Sequence, residues 1–161
     1  MSDIKIEEVS KRGIKGVRAS FELPHPPGPI ADMMWDVDQF AKLFPDILEL
    51  RLVASHENSQ DVHYRVDAVY KEIKYTLRRT RMIRDNGADI EWSMLKGDLR
   101  NIIGAWRLTA SGDDGCSVVY ESYVDASVLV PTSVIRKVAK TKIREMVDRV
   151  RRAAAAAAAS G

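Results

Sequence analysis

Three tyrosines and two tryptophans, Tyr64, Tyr75, Tyr120, Trp92 and Trp106, recur in segments where apolar residues alternate with polar ones. A buried phenol or indole needs an acceptor for its O–H or N–H, which makes such residues natural liners of an apolar pocket. Two cations keep similar company. Arg79 shares the parity of Tyr75 and Leu77. It belongs either at an exposed strand end or bulge, or in a cavity. Lys142 projects from the apolar side of a later helical segment, between Ile135 and Met146 in angle. Its stem either covers apolar surface while the amine reaches water, or the amine is a handle inside a cavity. Tyr64, Tyr75, Arg79, Trp92, Trp106, Tyr120, Ile135, Lys142 and Met146 therefore form the candidate ligand-binding set. An apolar pocket with a few convergent polar groups is the usual form of a small-molecule site.

Other chemistry has less to draw on. His25, His56 and His63 fall in loops or on the polar parity, without HExxH or comparable ligand spacing; no metal site is expected. No glycine-rich loop follows a strand to cradle phosphates, and no cofactor is expected. Cys116 stands alone beside a turn, which excludes an intrachain disulfide, and no His or Lys adjoins it to activate the thiol. Ser93 and Ser122 lack a nucleophile-elbow motif.

The elements that would position the candidate residues follow from periodicity. Residues 14–23 read as a strand ending at the PHPPGP loop. Met33, Val37, Phe40 and Phe44 then stand three or four residues apart, predicting one helix, or two with a break near Asp38, closed by Pro45. From Ile47 to Asp125 the period is two. Leu48, Leu50 and Leu52 are expected on one face; Val62, Tyr64, Val66 and Ala68 face away from His63, Arg65 and Asp67. Asn86-Gly87 and Asp114-Gly115 mark hairpin turns through residues that tolerate positive φ. This predicts an antiparallel sheet with one packed and one wet face.

The stretch PTSVIRKVAKTKIREMVDRVRR, residues 131–152, carries eight Lys or Arg against two acids, whereas the whole chain of 161 residues has a net charge of only +2. Basicity is local. At about 100° per residue, Ile135, Val138, Ala139, Ile143, Met146 and Val150 share one sector, with Arg136, Lys137, Lys140, Arg144 and Arg151 opposite. Each well-buried aliphatic side chain contributes about 1.5–3 kcal/mol, more than the few tenths typical of an exposed charge. The stretch is an amphipathic helix that packs on the sheet, with Thr132 or Ser133 as its cap. No aromatics interleave with its charges, so sequence-specific nucleic-acid binding is not expected. The first ten residues lack a signal-peptide core, and no run reaches the roughly 18 apolar residues of a membrane span. A cytoplasmic location is the simplest expectation.

Three segments, MWDVDQFAKLFPDI, IEWSMLKGDLRNIIGAWRL and GCSVVYESYVDASVLVPTSVI, together with the strand pattern between them, resemble the START-like, helix-grip superfamily, especially its polyketide cyclase/dehydrase and coenzyme-Q-binding branch. The resemblance spans about residues 14–152. It implies an α+β fold: a curved antiparallel sheet of about seven strands wrapped around a long C-terminal helix, with one or two short helices after the first strand. It also implies a single domain over 1–152, with 153–161 as an alanine-rich tail, and a cavity between sheet and helix for a hydrophobic small molecule. The expected function is carriage or binding of a lipid, quinone or polyketide-like molecule. The alternatives are a polyketide aromatase/cyclase or dehydrase, in which Arg79, Tyr64, Tyr75 or Lys142 assists enolisation, and a module that meets ribosomes, another macromolecule or an anionic membrane through the basic helix face. Oligomeric state is left open.

Overall fold

The computed structural model describes residues 4–67, 71–125 and 132–160, without the side chains at 132–140 and 160. Period-two segments become strands β2 (Ile14–Leu23), β3 (Ile47–Ser55), β4 (Ser59–Asp67), β5 (Glu72–Arg84), β6 (Gly87–Gly97), β7 (Asn101–Ser111) and β8 (Gly115–Asp125). An eighth strand, β1 (Lys5–Lys11), precedes them. One antiparallel sheet results, ordered β1-β2-β8-β7-β6-β5-β4-β3. The eight strands exceed the seven expected because β1, KIEEVSK, is an edge strand rich in charge. Its polar side chains suit an edge that must not recruit further strands. The turn joining it to β2 has positive φ at both Arg12 (53°) and Gly13 (77°), the geometry of a two-residue hairpin turn.

Two further expectations are corrected. Hairpins close where Asn86-Gly87 and Asp114-Gly115 mark them, but Gly87 and Gly115 open the next strands, and positive φ in the second turn is carried by Gly112. Leu48, Leu50 and Leu52 do not form one packed face. Register shifts between Ile47 and Glu49 and between Leu52 and Ala54 interrupt β3. Leu50 packs on the core, whereas Leu48 and Leu52 are about half exposed (49% and 47%).

The segment after β2 forms α1 (Pro27–Trp35) and α2 (Val37–Ala41). The break falls at Asp36, two residues before the expected position. Asp36 is extended (φ −70°, ψ 117°), and its carboxylate accepts from the backbone N–H groups of Asp38 and Gln39, capping α2. Those bonds hold its carboxyl below the usual carboxylate pKa.

Helix α3 (Thr132–Ser160) lies against α1 and β2. Among its described side chains, Ile143, Met146, Val147, Val150 and Ala154 are buried. The alanine run continues this helix, and Ala154 is fully buried, so no break falls at 152. The stripe formed by these described residues centres near Ile143 and Val147, and Lys142 stands beyond Met146 at its margin. The expectations for Ile135, Val138, Ala139, Arg136, Lys137, Lys140 and the Thr132 or Ser133 cap concern side chains outside the described set, and Ala68 and Pro131 lie outside the described residues.

Arg79 is 1% exposed and sits at neither a strand end nor the cavity surface. Its Nε donates to Gln60 Oε1 at 2.8 Å, Nη1 to Met34 O at 3.0 Å and Nη2 to Trp35 O at 2.9 Å. The guanidinium also lies 4.6 Å from the Phe40 ring centroid and 5.3 Å from that of Trp35. A cation at the last carbonyls of a helix satisfies orphan acceptors and complements the helix dipole. One sheet residue thereby pins α1 and α2. Replacing Arg79 with Leu is expected to lower unfolding stability by about 3–5 kcal/mol, because buried acceptors lose their charged donor. The Arg78→Leu change, which removes a half-exposed pair with Asp61, should cost about 1 kcal/mol or less. Urea denaturation of both variants checks this, and equal losses would contradict the anchoring role.

Candidate ligand cavity

Cross-strand pairing builds the site. Tyr64 of β4 is registered with Tyr75 of β5, and their rings stack at 5.0 Å with 19° between planes. Trp106 of β7 is registered with Tyr120 of β8, with rings 4.6 Å apart. Trp92 of β6 lies 6.0 Å from the same tyrosine ring. Its partner in register is Gly104, where an added Cβ would collide with the indole ring. Glycine at 104 therefore lets Trp92 lie across the neighbouring strand, a close approach no larger residue permits.

These rings face a cavity of about 230 Å3 between the sheet, α2, the α2–β3 connection and α3. Of the nine candidate residues, Tyr64, Tyr75, Trp92, Trp106, Tyr120, Lys142 and Met146 line it. Arg79 does not, and the Ile135 side chain lies outside the description. Phe40, Phe44, Pro45, Asp46, Leu99 and Ser122 also line it, although the sequence reading named none of them as site residues. The helical spacing of Phe40 and Phe44 was a usable signal for the first two. No local pattern marks Asp46 or Leu99, which reach the site from connections between elements.

Lys142 is at the cavity wall and 40% exposed, with Nζ 3.3 Å from Asp46 Oδ1 and 3.9 Å from Glu145. The residue therefore borders the cavity while its amine is engaged by carboxylates. Within the cavity, burial raises the pKa of Tyr64 to about 12 and also raises those of Tyr75 and Tyr120. All three phenols are neutral near pH 7. They can donate hydrogen bonds, but they are poorly suited to act as bases.

The other reactive side chains are dispersed. His56 lies 3.7 Å from Asp61, and His63 bonds Thr76. Cys116 is fully buried, and burial lifts its thiol pKa to about 11, the condition of an inert thiol. Among the described residues, no group of three or more His, Cys, Asp or Glu is placed to hold a metal ion, and no helix is long and apolar enough to cross a membrane.

An antiparallel sheet gripping a long C-terminal helix, with an aromatic cavity between them, defines a START-like protein. The profile of the family described as polyketide cyclase / dehydrase and lipid transport matches residues 23–151, and the chain belongs to that family. Solved structures share the fold at low identity. A STAR-related lipid transfer protein from Xanthomonas axonopodis is 15% identical with a TM-score of 0.80, over 94% of this chain and 93% of that one. The Zhui aromatase/cyclase from Streptomyces sp. R1128 is 13% identical with a TM-score of 0.66, over 93% and 92%. TTHA0849 from Thermus thermophilus is 18% identical with a TM-score of 0.73, over 88% and 98%. No curated protein sequence matches the chain.

The phenols supply a pH test. Tyr64 has a folded-state pKa near 12 against an ordinary 10.0, so the folded chain retains a proton that the unfolded chain releases. The linked stability is whole below pH 10 and is lost as pH rises through about 12. Phenolate absorbance of the native protein should therefore lag that of the urea-denatured protein between these values. Tyr64→Phe should reduce the lag, and coincident titration curves would refute the burial of these hydroxyls.

Proposed function

We propose that this chain is a cytoplasmic carrier or binding protein for a small hydrophobic molecule of lipid, quinone or polyketide-like character, held between the sheet and α3. The observation that carries this reading is the cavity itself. Seven candidate residues from five strands and α3 converge on one apolar space, with phenolic donors inside and the charged Lys142–Asp46 pair at its edge. Family membership supports hydrophobic-ligand chemistry without selecting the ligand. Fold alone does not select it either, because similar scaffolds occur in proteins of different activity. The exposed Arg144 and Arg152 on α3 suit transient contact with an anionic membrane during loading, an attraction that weakens as salt screens it.

Incubation of purified protein with a cellular lipid extract, followed by native mass spectrometry, tests the proposal. A retained hydrophobic adduct is expected. Ser122→Phe places a ring in the cavity at a cost of about 1–3 kcal/mol in overpacking. It should abolish retention while the circular dichroism spectrum stays native. Retention unchanged by this substitution would place binding elsewhere.

A second reading, aromatase/cyclase or dehydrase action on a poly-β-keto chain, is favoured by the neutral Tyr64 and Tyr75 hydroxyls beside the cavity. Such groups can hydrogen-bond a developing enolate while the walls hold the chain folded. Tyr64→Phe and Tyr75→Phe should each then lower cyclisation of a poly-β-keto thioester by about 10–100-fold, the order associated with one or two lost donor interactions. Full activity in both variants would remove the assignment.

A further inference from the structure

The two edges of the sheet are built differently. At one, β1 carries two lysines and two glutamates along KIEEVSK, the composition that keeps an edge single. At the other, β3 reads ILELRLVAS, without lysine or proline. No strand flanks its outer side among the described residues. A row of backbone N–H and C=O groups there stays open to another chain. Leu48, Leu52 and Val53 on this strand are about half exposed. An open edge with apolar side chains is a template for strand addition.

The order of charges selects the strand that fits. Between the register shifts near its ends, Glu49 to Leu52 pair continuously with β4. Leu50 and Leu52 stand opposite the buried Tyr64 and Val62, on the inner face. Glu49 and Arg51 stand opposite Arg65 and His63, on the outer face. An antiparallel copy of this strand centred on Leu50 sets Glu49 against Arg51 twice. It also sets Leu48 against Leu52 twice, and Leu50 against itself. Apolar pairs and opposite charges are favourable directly across strands, and like charges are not. Centres at the neighbouring residues set Glu49 or Arg51 against its own copy. The sequence of the edge is thus complementary to itself in one register.

Both charged groups are available for such a contact. Arg51 is exposed, with no hydrogen bond or ion pair among the described residues. Glu49 lies 3.8 Å from Arg65, whose guanidinium is held more closely by Glu72 at 2.8 Å. The register shifts bend the ends of the strand away. They confine the contact to residues 48–52 of each copy, a small interface of the kind that associates weakly and reversibly.

We propose that the chain forms a two-fold dimer in which β3 pairs antiparallel with β3 of a second copy, centred on Leu50. Two sheets of eight strands then run on as one.

Charge reversal tests both the surface and the register. Sedimentation velocity of the full chain, run from about 1 µM to 1 mM to span weak affinities, is expected to show a concentration-dependent dimer. Arg51→Glu and Glu49→Arg each turn two attractive pairs into repulsive ones. Each should weaken self-association by at least about ten-fold, with a native circular dichroism spectrum. An equimolar mixture of the two variants should dimerise again, because every position 49 then meets a position 51 of opposite sign. The doubly exchanged chain, E49R with R51E, should dimerise for the same reason. If Glu49→Arg does not fold beside Arg65, Leu52→Lys takes its place and should abolish the dimer, as an edge lysine does. A chain that stays monomeric at about 1 mM overturns the proposal. So does a dimer that persists in Arg51→Glu, because association then uses another surface. A mixture that stays monomeric overturns the Leu50-centred register.

Discussion

The α2 side of the cavity depends on a guanidinium that has no carboxylate partner among the described residues. Arg79 leaves the sheet, enters the core and bonds the last carbonyls of α1. Gln60 Oε1 and two aromatic rings complete its surroundings. Desolvation lowers its pKa, but guanidinium remains protonated in proteins. The charge is compensated by dipoles and π faces instead of an opposite ion. The arrangement fixes the ends of α1 and the position of Phe40, a cavity wall. A residue that by type could have served a ligand is thus fully occupied in holding the wall that faces it.

That occupation also explains what the sequence could and could not disclose. Tyr64, Tyr75, Trp92, Trp106 and Tyr120 were legible as a group because strand alternation assigns a face residue by residue. Their convergence follows from antiparallel register alone. Arg79 has the same parity, so alternation could not distinguish it from them. Its partners Met34 and Trp35 are 45 and 44 residues away in sequence, and only the packing of α1 on the sheet brings them together. In β3 a register shift falls at Leu48, and Leu52, though in register with the buried Val62, is left half exposed because β3 is an edge strand of the sheet. β1 was obscured because the charged composition that protects an edge strand also weakens the strand signal. Lys142 was legible as a cation beside apolar helix positions, but its carboxylate partner Asp46 lies 96 residues away.

The site chemistry is likewise a consequence of burial rather than of residue type alone. A solvent-exposed tyrosine can accept as well as donate and ionises near pH 10. Three of them in an apolar enclosure remain neutral to higher pH, because the phenolate would lose hydration, a cost that at Tyr64 outweighs the opposing charge of Arg79. The protonated phenols thereby keep a donor as well as an acceptor for polar groups on an occupant. Neutrality also limits any catalytic part of the phenols themselves to hydrogen-bond stabilisation, because proton abstraction needs a base whose pKa is nearer the working pH. Binding and cyclisation are therefore adjacent uses of the same donors, separated by whether the occupant develops negative charge while held.

Aromatic walls make this economy of space possible. Each ring covers apolar area and keeps its shape with few rotatable bonds, so the cavity can persist without long flexible side chains collapsing into it. The same rings consume volume that a roomier sheet-and-helix interior would leave to the ligand. Gly104 shows the trade directly: removing a side chain from β7 admits the Trp92 ring, and the ring then becomes the wall. Selectivity within this scaffold consequently depends on small differences in which inward positions are glycine, aromatic or hydroxylated. Those positions can change while the register and the long helix stay fixed, which is how one architecture can accept chemically different guests.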